Sequence, residues 1–282
     1  MVDDGSSLGI DAFIRERFSE DKVRYVRNSV RLGLSGALNL GLREAKGKYI
    51  VFLDDDDLLH PTMVSRSVAM MVKEKADLVA VQFQYFSDSP SKKITNHYQD
   101  YPSPEKILKT LTQGNIFRMN GLLFNKHLAI QVGGFDDKMV AAEDWDLWLR
   151  MVVAGARVAT IPDVLAYIRI HSSNISRDEI NMHEGCLRVL QKAEGYFSGD
   201  LQNEIGLRSQ LAFRYFVTGW YAIVGGDRKK GRGYLHRSMK TRSTFFFPWL
   251  LFLILSYFPQ KLVLMMGRAL EFLFKRENLY RT

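Results

Sequence analysis

The chain has 282 residues, enough to bury a substantial core, and its 46% hydrophobic and 25% charged content is that of a folded protein. One cysteine, Cys186, excludes an internal disulfide framework. The net charge of +8 is concentrated: residues 225–282 hold 12 Lys/Arg against 3 Asp/Glu, and the remaining 27 against 28 leave the rest nearly neutral.

The opening Met1-Val2-Asp3-Asp4 is acidic and does not read as a secretory leader. Val23 to Arg27 alternates as a strand does. Leu34, Ala37, Leu38, Gly41, Leu42 and Ala45 recur at helical spacing, and Gly47 suits the helix end. Tyr49 to Leu53 predicts a buried strand that runs directly into four carboxylates, Asp54 to Asp57. Pro61 is placed to open a helix whose face is Val64, Val68, Met71 and Val72. Leu78 to Phe86 alternates strongly and predicts a further strand. Such alternation of strands and helices predicts an α/β sheet with parallel strands, where ligands bind at the strands' carboxyl ends.

Residues 87–120 are polar and broken by Ser, Pro and Asn, which predicts a long surface loop with one short helix. Glu143 to Val153 predicts a helix closed by Gly155, and Arg157 to Ile161 a short strand stopped by Pro162. From Asp178 onward the pattern is helical. A pair over about residues 207–224 and 228–240 resembles a single tetratricopeptide-like unit, too little for a repeat array.

Phe245 to Phe258 is apolar except for Ser256, but about 14 residues fall short of the roughly 20 that span a bilayer, and Pro248 and Pro259 interrupt it. Leu262, Met265, Met266, Ala269, Leu270 and Leu273 follow at helical spacing, with Lys261, Arg268 and Lys275 along one side. Apolar mass beside basic residues predicts helices lying in a membrane interface, and no nucleic-acid partner. The alternative is a pair of helices packed on the globular part.

Three acidic clusters carry the chemistry: Asp3-Asp4-Gly5-Ser6, Asp54 to Asp57, and Glu143-Asp144-Trp145-Asp146. The first also fits an ordinary turn, the second a helix cap, and the third a helix N-terminus favoured by the dipole. Four carboxylates ending a buried strand repel one another unless a cation sits among them. The economical cation is a divalent metal with oxygen ligands, completed by a substrate phosphate. An EF-hand fails because its sixth position is Leu59, and neither a Walker-type nor a dinucleotide glycine loop is present.

The order of these clusters resembles glycosyltransferase family 2, inverting enzymes of GT-A fold, from residue 2 to about residue 176. The matching segments are Val2-Asp-Asp-Gly-Ser-Ser7, Gly33 to Leu42, Ala45 to Asp57 with Pro61, Gly133-Gly-Phe-Asp-Asp137, Glu143-Asp-Trp-Asp-Leu-Trp-Leu-Arg150 and Tyr167 to Ser176. The resemblance implies Asp54 and Asp56 as ligands of Mn²⁺ or Mg²⁺ on the donor's diphosphate. It implies Asp3, Asp4, Asp55 and His171 at the nucleotide-sugar donor, and Asp144 as the catalytic base that deprotonates the acceptor hydroxyl. Trp145 and Trp148 beside Asp144 would desolvate it and raise its basicity.

Two departures accompany the resemblance. Leu38 stands where many members carry Arg, and the family's N-terminal strand–helix–strand unit, roughly 30 residues or more, is not matched. The expectation is a piece of a longer transferase, or else a poorly soluble chain with little activity. The fold implied is α/β, a GT-A-like mixed and mostly parallel sheet flanked by helices, followed by a helical C-terminal region. The domains expected are 1–177, 178–242 and 243–282. The function expected is transfer of a sugar, from UDP-sugar by preference, to a saccharide or lipid-linked acceptor. It would occur on the cytoplasmic face of a membrane in surface polysaccharide synthesis. The rival is an inactive, membrane-associated remnant that binds a partner.

Overall fold

The computed structural model describes residues 1–7, 9–19, 22–87, 93–97, 104–171, 178–242 and 246–258. The chain divides into two compact units, Met1–Tyr98 with Phe117–Arg169, and Gln99–Ile116 with Ile170–Thr282.

In the first unit, β1 (Val2–Asp3) and β2 (Val26–Arg27) pair in parallel around α1 (Ile10–Arg17). After α2 (Gly33–Glu44), β3 (Tyr49–Ile50) and β4 (Leu58–Leu59) flank the acidic turn. Then come α3 (Met63–Glu74), β5 (Leu78–Phe86) and β6 (Lys93–His97). The unit resumes with a 3₁₀ turn (Met119–Gly121), β7 (Leu122–Asn125), α5 (Lys126–Gln131), α6 (Glu143–Val153) and β8 (Val158–Arg169). These strands form a six-stranded sheet in the order β3-β7-β5-β8-β4, with β6 on β5. The core strand β5 is buried along nearly its whole length because both of its edges are paired.

The fold class is the mixed α/β sheet flanked by helices that the motifs imply. Its pairings are weighted otherwise than expected. Among the described residues β1–β2 and β5–β8 are parallel, while β3–β7, β4–β8, β5–β6 and β5–β7 are antiparallel. β8 also runs through Pro162, where a stop was expected. The register jumps from Val81↔Ile161 to Gln82↔Val164, so Pro162 and Asp163 bulge out and no ladder bond needs the missing N–H.

Helix α3 buries Met71 and packs Val68 on the core as expected, but the centre of its buried face is shifted. Met63, Ser67 and Met71 face the sheet at i, i+4, i+8, whereas Val64 and Val72 are exposed. Met63 and Met71 join Val79, Val81, Phe83, Leu123, Ile161 and Leu165 in one core. Each fully buried side chain of this size contributes about 1.5–3 kcal/mol.

The second unit is helical: α4 (Pro104–Gln113), α7 (Glu179–Ala193), α8 (Gly199–Glu204), α9 (Leu207–Val224), α10 (Arg228–Thr241) and α11 (Phe246–Leu255). The one short helix expected within residues 87–120 is α4, but the described residues there also form β6, and Ile107, Leu111, Thr112 and Phe117 are buried and not on a surface loop. The Ser and Asn residues of this stretch hid its apolar spacing. Asp178, Ser198 and Asp227 accept N–H bonds at the starts of α7, α8 and α10.

α9 and α10 are the helix pair anticipated over 207–240, and they touch backbone to backbone. A Cβ at Gly231 would lie 2.7 Å from the Gly219 carbonyl oxygen and 2.5 Å from Ile223 Cγ1. Ser238 Oγ, fully buried, donates to the Ala212 carbonyl at 2.6 Å. Gly231→Val is therefore expected to cost about 3 kcal/mol by overpacking, seen as a lowered denaturation midpoint, while Gly233→Val, with open space around it, should leave the midpoint unchanged or raise it slightly, since valine is the better helix former.

Candidate active site

Beyond β3 the strand expected through Leu53 is not continued, and the segment Val51-Phe52-Leu53 delivers the four aspartates into a tight turn, closed by the Asp57 N–H donating to the Asp54 carbonyl at 3.2 Å. That turn undoes strand alternation and swings three side chains to one place. Ligand oxygens of Asp54, Asp56 and Asp57 lie within 4.8 Å of one another. Asp55 points to solvent, as its exposure shows.

Two residues hold this turn. The Asn120 side-chain amide donates to Asp54 Oδ2 at 3.2 Å and to Asp57 Oδ2, and its carbonyl oxygen accepts from the Asp54 backbone N–H at 3.3 Å. The Arg169 backbone N–H donates to Asp57 Oδ1 at 2.7 Å, and its Nε donates to the Asp56 carbonyl at 3.0 Å. The guanidinium is itself fixed, donating to the Ser87 carbonyl and lying 4.6 Å over the Phe86 ring. Arg169 thus places positive charge against the turn without capping the carboxylate oxygens of Asp54.

The charge balance remains unfavourable. Burial first, then repulsion from Asp56 and Asp54, pushes the Asp57 carboxyl up to about 6. Asp54 keeps an exposed edge, yet the protein around it, with Asp56 and Asp55, also raises its pKa despite the Asn120 bond. Glu143, only 7% exposed at the start of α6, is pushed up to about 7 by burial, then by Asp144 and Asp54. That last contribution ties α6 electrostatically to the aspartate turn.

The start of α6 is held by specific packing. Phe52, just before the turn, stacks on Phe124 at 6.0 Å and meets Phe135 edge-on at 5.6 Å; Trp148 of α6 contacts both. Asp146, fully buried, takes Arg150 Nε and Nη2 at 3.0 and 2.7 Å, and Arg150 donates on to the Val132 and Gly134 carbonyls. Asp146 therefore anchors the helix rather than facing a ligand. Asp144 is half-buried, with Oδ1 accepting the Trp145 N–H at 2.7 Å. Ala142, in the left-handed region at φ 59°, makes the bend that starts the helix.

The N-terminal aspartates form a separate cluster. Asp3 accepts from the Tyr25 hydroxyl at 2.5 Å and from Ser6 N–H and Oγ, which holds its pKa below the usual range. Asp4 accepts from Asn28 and from the Leu32 and Gly33 amides at the start of α2. Burial raises its pKa, but those donors outweigh it and leave it lowered. Both carboxylates thus serve the chain's own donors, and α2 connects them to the site strand: a Cβ at Gly41 would meet both Phe52 and Val2 within 3.4 Å. His171 is half-buried in the second unit, and residues 172–177 lie outside the described residues.

Asp57, Asn120, Glu143 and Arg169 were not among the expected site residues. Glu143 and Arg169 stood within the motifs quoted for the resemblance, and Asn120 is a polar residue between the apolar segments 116–117 and 122–124. The oxygen-only donor set fits a hard divalent cation such as Mn²⁺ or Mg²⁺, whose charge would relieve the repulsion that raises Asp54 and Asp57.

Asp57→Asn separates stability from function. Because the native pKa of Asp57 is raised, its charge destabilises the metal-free fold above about pH 6, and this penalty disappears below the unfolded value near 4. The variant should therefore gain about 1–3 kcal/mol at pH 8 and none at pH 4, while binding Mn²⁺ at least tenfold more weakly. Chemical denaturation and metal titration check the two signs.

The family model described as glycosyl transferase family 2 matches residues 1–130. Among curated proteins, the chain is 27% identical over 147 residues to an uncharacterized glycosyltransferase of Haemophilus influenzae, covering 51% of this chain and 53% of that one. It is 25% identical over 189 residues to WfaP of Escherichia coli, a UDP-Glc:α-D-GlcNAc-diphosphoundecaprenol β-1,3-glucosyltransferase, covering 64% and 68%. AmsE, an amylovoran biosynthesis glycosyltransferase of Erwinia amylovora, is 25% identical over 182 residues, covering 60% and 65%. The chain thus spans from about half to two thirds of the length of these relatives. Its fold is similar to S. aureus TarS 1–349 in complex with UDP-GlcNAc, with a TM-score of 0.62 and 13% identity over 85% of this chain and 71% of that one. It is similar also to the Pyrobaculum calidifontis mannosyltransferase PcManGT in complex with GDP-Man and Mn²⁺, with a TM-score of 0.55 and 18% identity over 95% and 69%. The architecture is that of a GT-A glycosyltransferase. The family match takes in the segment and the turn that gather Asp54, Asp56 and Asp57, so that over residues 1–130 the chain is similar to glycosyl transferase family 2.

Proposed function

We propose that this chain is the catalytic part of a metal-dependent, inverting glycosyltransferase that moves a sugar from a nucleoside diphosphate to a saccharide or lipid-linked acceptor. The observation that carries the proposal is the gathering of three carboxylates within 4.8 Å at a strand end, with the buried Glu143 in electrostatic range. Such a site has little use for a fourth anion unless a cation mediates. A nucleotide-sugar diphosphate is an anion that arrives with one.

In this proposal Asp54 and Asp56, joined by Asp57, hold Mn²⁺ or Mg²⁺, and Asp55 lies near the ribose. A bound ion supplies Lewis-acid stabilisation of the leaving diphosphate. Asn120 and Arg169 fix the angle at which the carboxylates are presented. Asp3, Asp4 and His171 border the donor, the first two through the loop that they stiffen. Asp144 takes the proton of the attacking acceptor hydroxyl, and attack from the face opposite the leaving group inverts the anomeric centre. Glu143 is the second candidate for the base, favoured by its carboxyl at about 7, which suits proton transfer at neutral pH.

UDP-sugar is the first donor to try, since WfaP uses UDP-Glc by its name, and TarS was crystallised with UDP-GlcNAc. WfaP and AmsE also support a role in surface polysaccharide assembly. A lipid-linked acceptor would set the reaction on the cytoplasmic face of a membrane. No helix among the described residues is long and apolar enough to cross one.

Calorimetry should show UDP binding that requires Mn²⁺ and is abolished by EDTA and by Asp56→Ala. UDP binding unchanged by Asp56→Ala would contradict the metal assignment. With turnover in hand, Asp144→Asn should lower kcat at least about a hundredfold with KM for the donor little changed. If Glu143→Gln does so instead, Glu143 is the base.

A further inference from the structure

We propose that the outer face of α11, together with the basic flank of α10, is a docking surface for an anionic lipid bilayer. The inference deepens the function above only in its purpose, bringing the enzyme to a lipid-linked acceptor; the surface is argued from the second unit alone. Helix α11 packs inward through Phe252, whose ring centroid lies 4.8 and 4.6 Å from those of Phe216 and Trp220 of α9, and Leu255 is buried as well. Leu250, Leu251 and Ile254 fall on the other side of the helix, at i, i+1 and i+4, and Tyr257 and Phe258 follow in the turn after it. They are exposed from 38% at Leu250 to 69% at Tyr257. A helix needs one apolar face to join a core; this one has two.

What covers the second face is indicated by its border. On α10 the residues Lys229, Arg232, His236 and Lys240 recur at spacings of three and four and so share one flank. Lys229, His236 and Lys240 are exposed, as are Arg237 and Arg242 nearby. Arg232 joins the two surfaces, its guanidinium 4.8 Å over the Tyr257 ring. Within α10, Arg228–Thr241 holds no acidic residue. A row of leucine, isoleucine and aromatic side chains edged by cations matches a headgroup layer: the apolar row enters the acyl boundary, and the cations meet lipid phosphates. An acid-rich protein partner would match the cations but leave the apolar row uncovered.

The test is flotation of the full chain with vesicles, with neither donor nor acceptor present. Vesicles of phosphatidylcholine with phosphatidylglycerol should bind the chain, phosphatidylcholine alone far less, and high salt should weaken the binding. Ile254→Asp should reduce binding at least about tenfold. Lys229→Glu with Lys240→Glu, on the exposed flank, should remove the preference for phosphatidylglycerol. Wild-type chain that stays off anionic vesicles, or Ile254→Asp that binds as well as wild type, overturns the proposal. So does a result in which Ile254→Asp converts a dimer to a monomer in sedimentation yet leaves flotation unchanged, because the face then belongs to a second copy. Turnover of a soluble acceptor without flotation would sink this surface alone; flotation without UDP binding would sink the transferase proposal alone.

Discussion

Mutual repulsion among Asp54, Asp56, Asp57 and Glu143 is the constraint around which the first unit is arranged. At separations below 4.8 Å, two full negative charges oppose each other by about 3–4 kcal/mol at an effective dielectric near 20. The chain relieves only part of this. Asn120 contributes neutral donors, and Arg169 contributes a cation aimed mainly at backbone carbonyls. The raised pKa values of Asp57 and Glu143 express burial first and the remaining repulsion second. Such a cluster is one whose repulsion a divalent cation with oxygen ligands would offset.

The rest of the unit keeps these charges from escaping one another. The rings of Phe52, Phe124, Phe135 and Trp148 pin the strand before Asp54 to the helix that starts at Glu143. The buried Asp146–Arg150 pair locks that helix to the Gly133–Gly134 turn, and Asn39 on α2 closes the same turn with bonds of 2.8 and 2.9 Å to Phe135. Ala142 takes up a left-handed backbone immediately before the two acids of the site, which costs on the order of 1 kcal/mol and persists because the surrounding packing dictates it. Rigid apolar packing thus holds a polar arrangement that would relax if free to do so.

Much of this was legible in the residues. Strand β5 and helices α2, α6, α9 and α10 emerged from the spacing of their apolar residues, although β5 is buried on both faces rather than on one. The Asp54–Asp57 run was legible as a candidate cation site because four carboxylates after an apolar strand repel one another. What stayed hidden depended on distant partners. Nothing in the sequence near Asn120 says that it bridges two aspartates some sixty positions earlier, and Arg169 acts through its position beside β4 rather than through any local pattern. Pro162 looked like a strand end because a bulge is a property of two strands at once. On α3, Val68 and Met71 were placed rightly, whereas Val64 and Val72 suit a core as well as Met63 does, and only the sheet decides between them. Asp3 and Asp4 carry a familiar motif, yet their oxygens are taken by Tyr25, Ser6, Asn28 and the start of α2, so any contact with a nucleotide would run through the loop they shape.

The central claim is that Asp54, Asp56 and Asp57 together hold a divalent cation. It is tested most directly by a crystal structure grown with Mn²⁺ and UDP, with anomalous data at the manganese edge. The account predicts one anomalous peak bonded to oxygens of these aspartates, with Asn120 displaced from at least one of them. A UDP molecule bound with its diphosphate elsewhere, or manganese seated on other residues while this cluster stays empty, would contradict it.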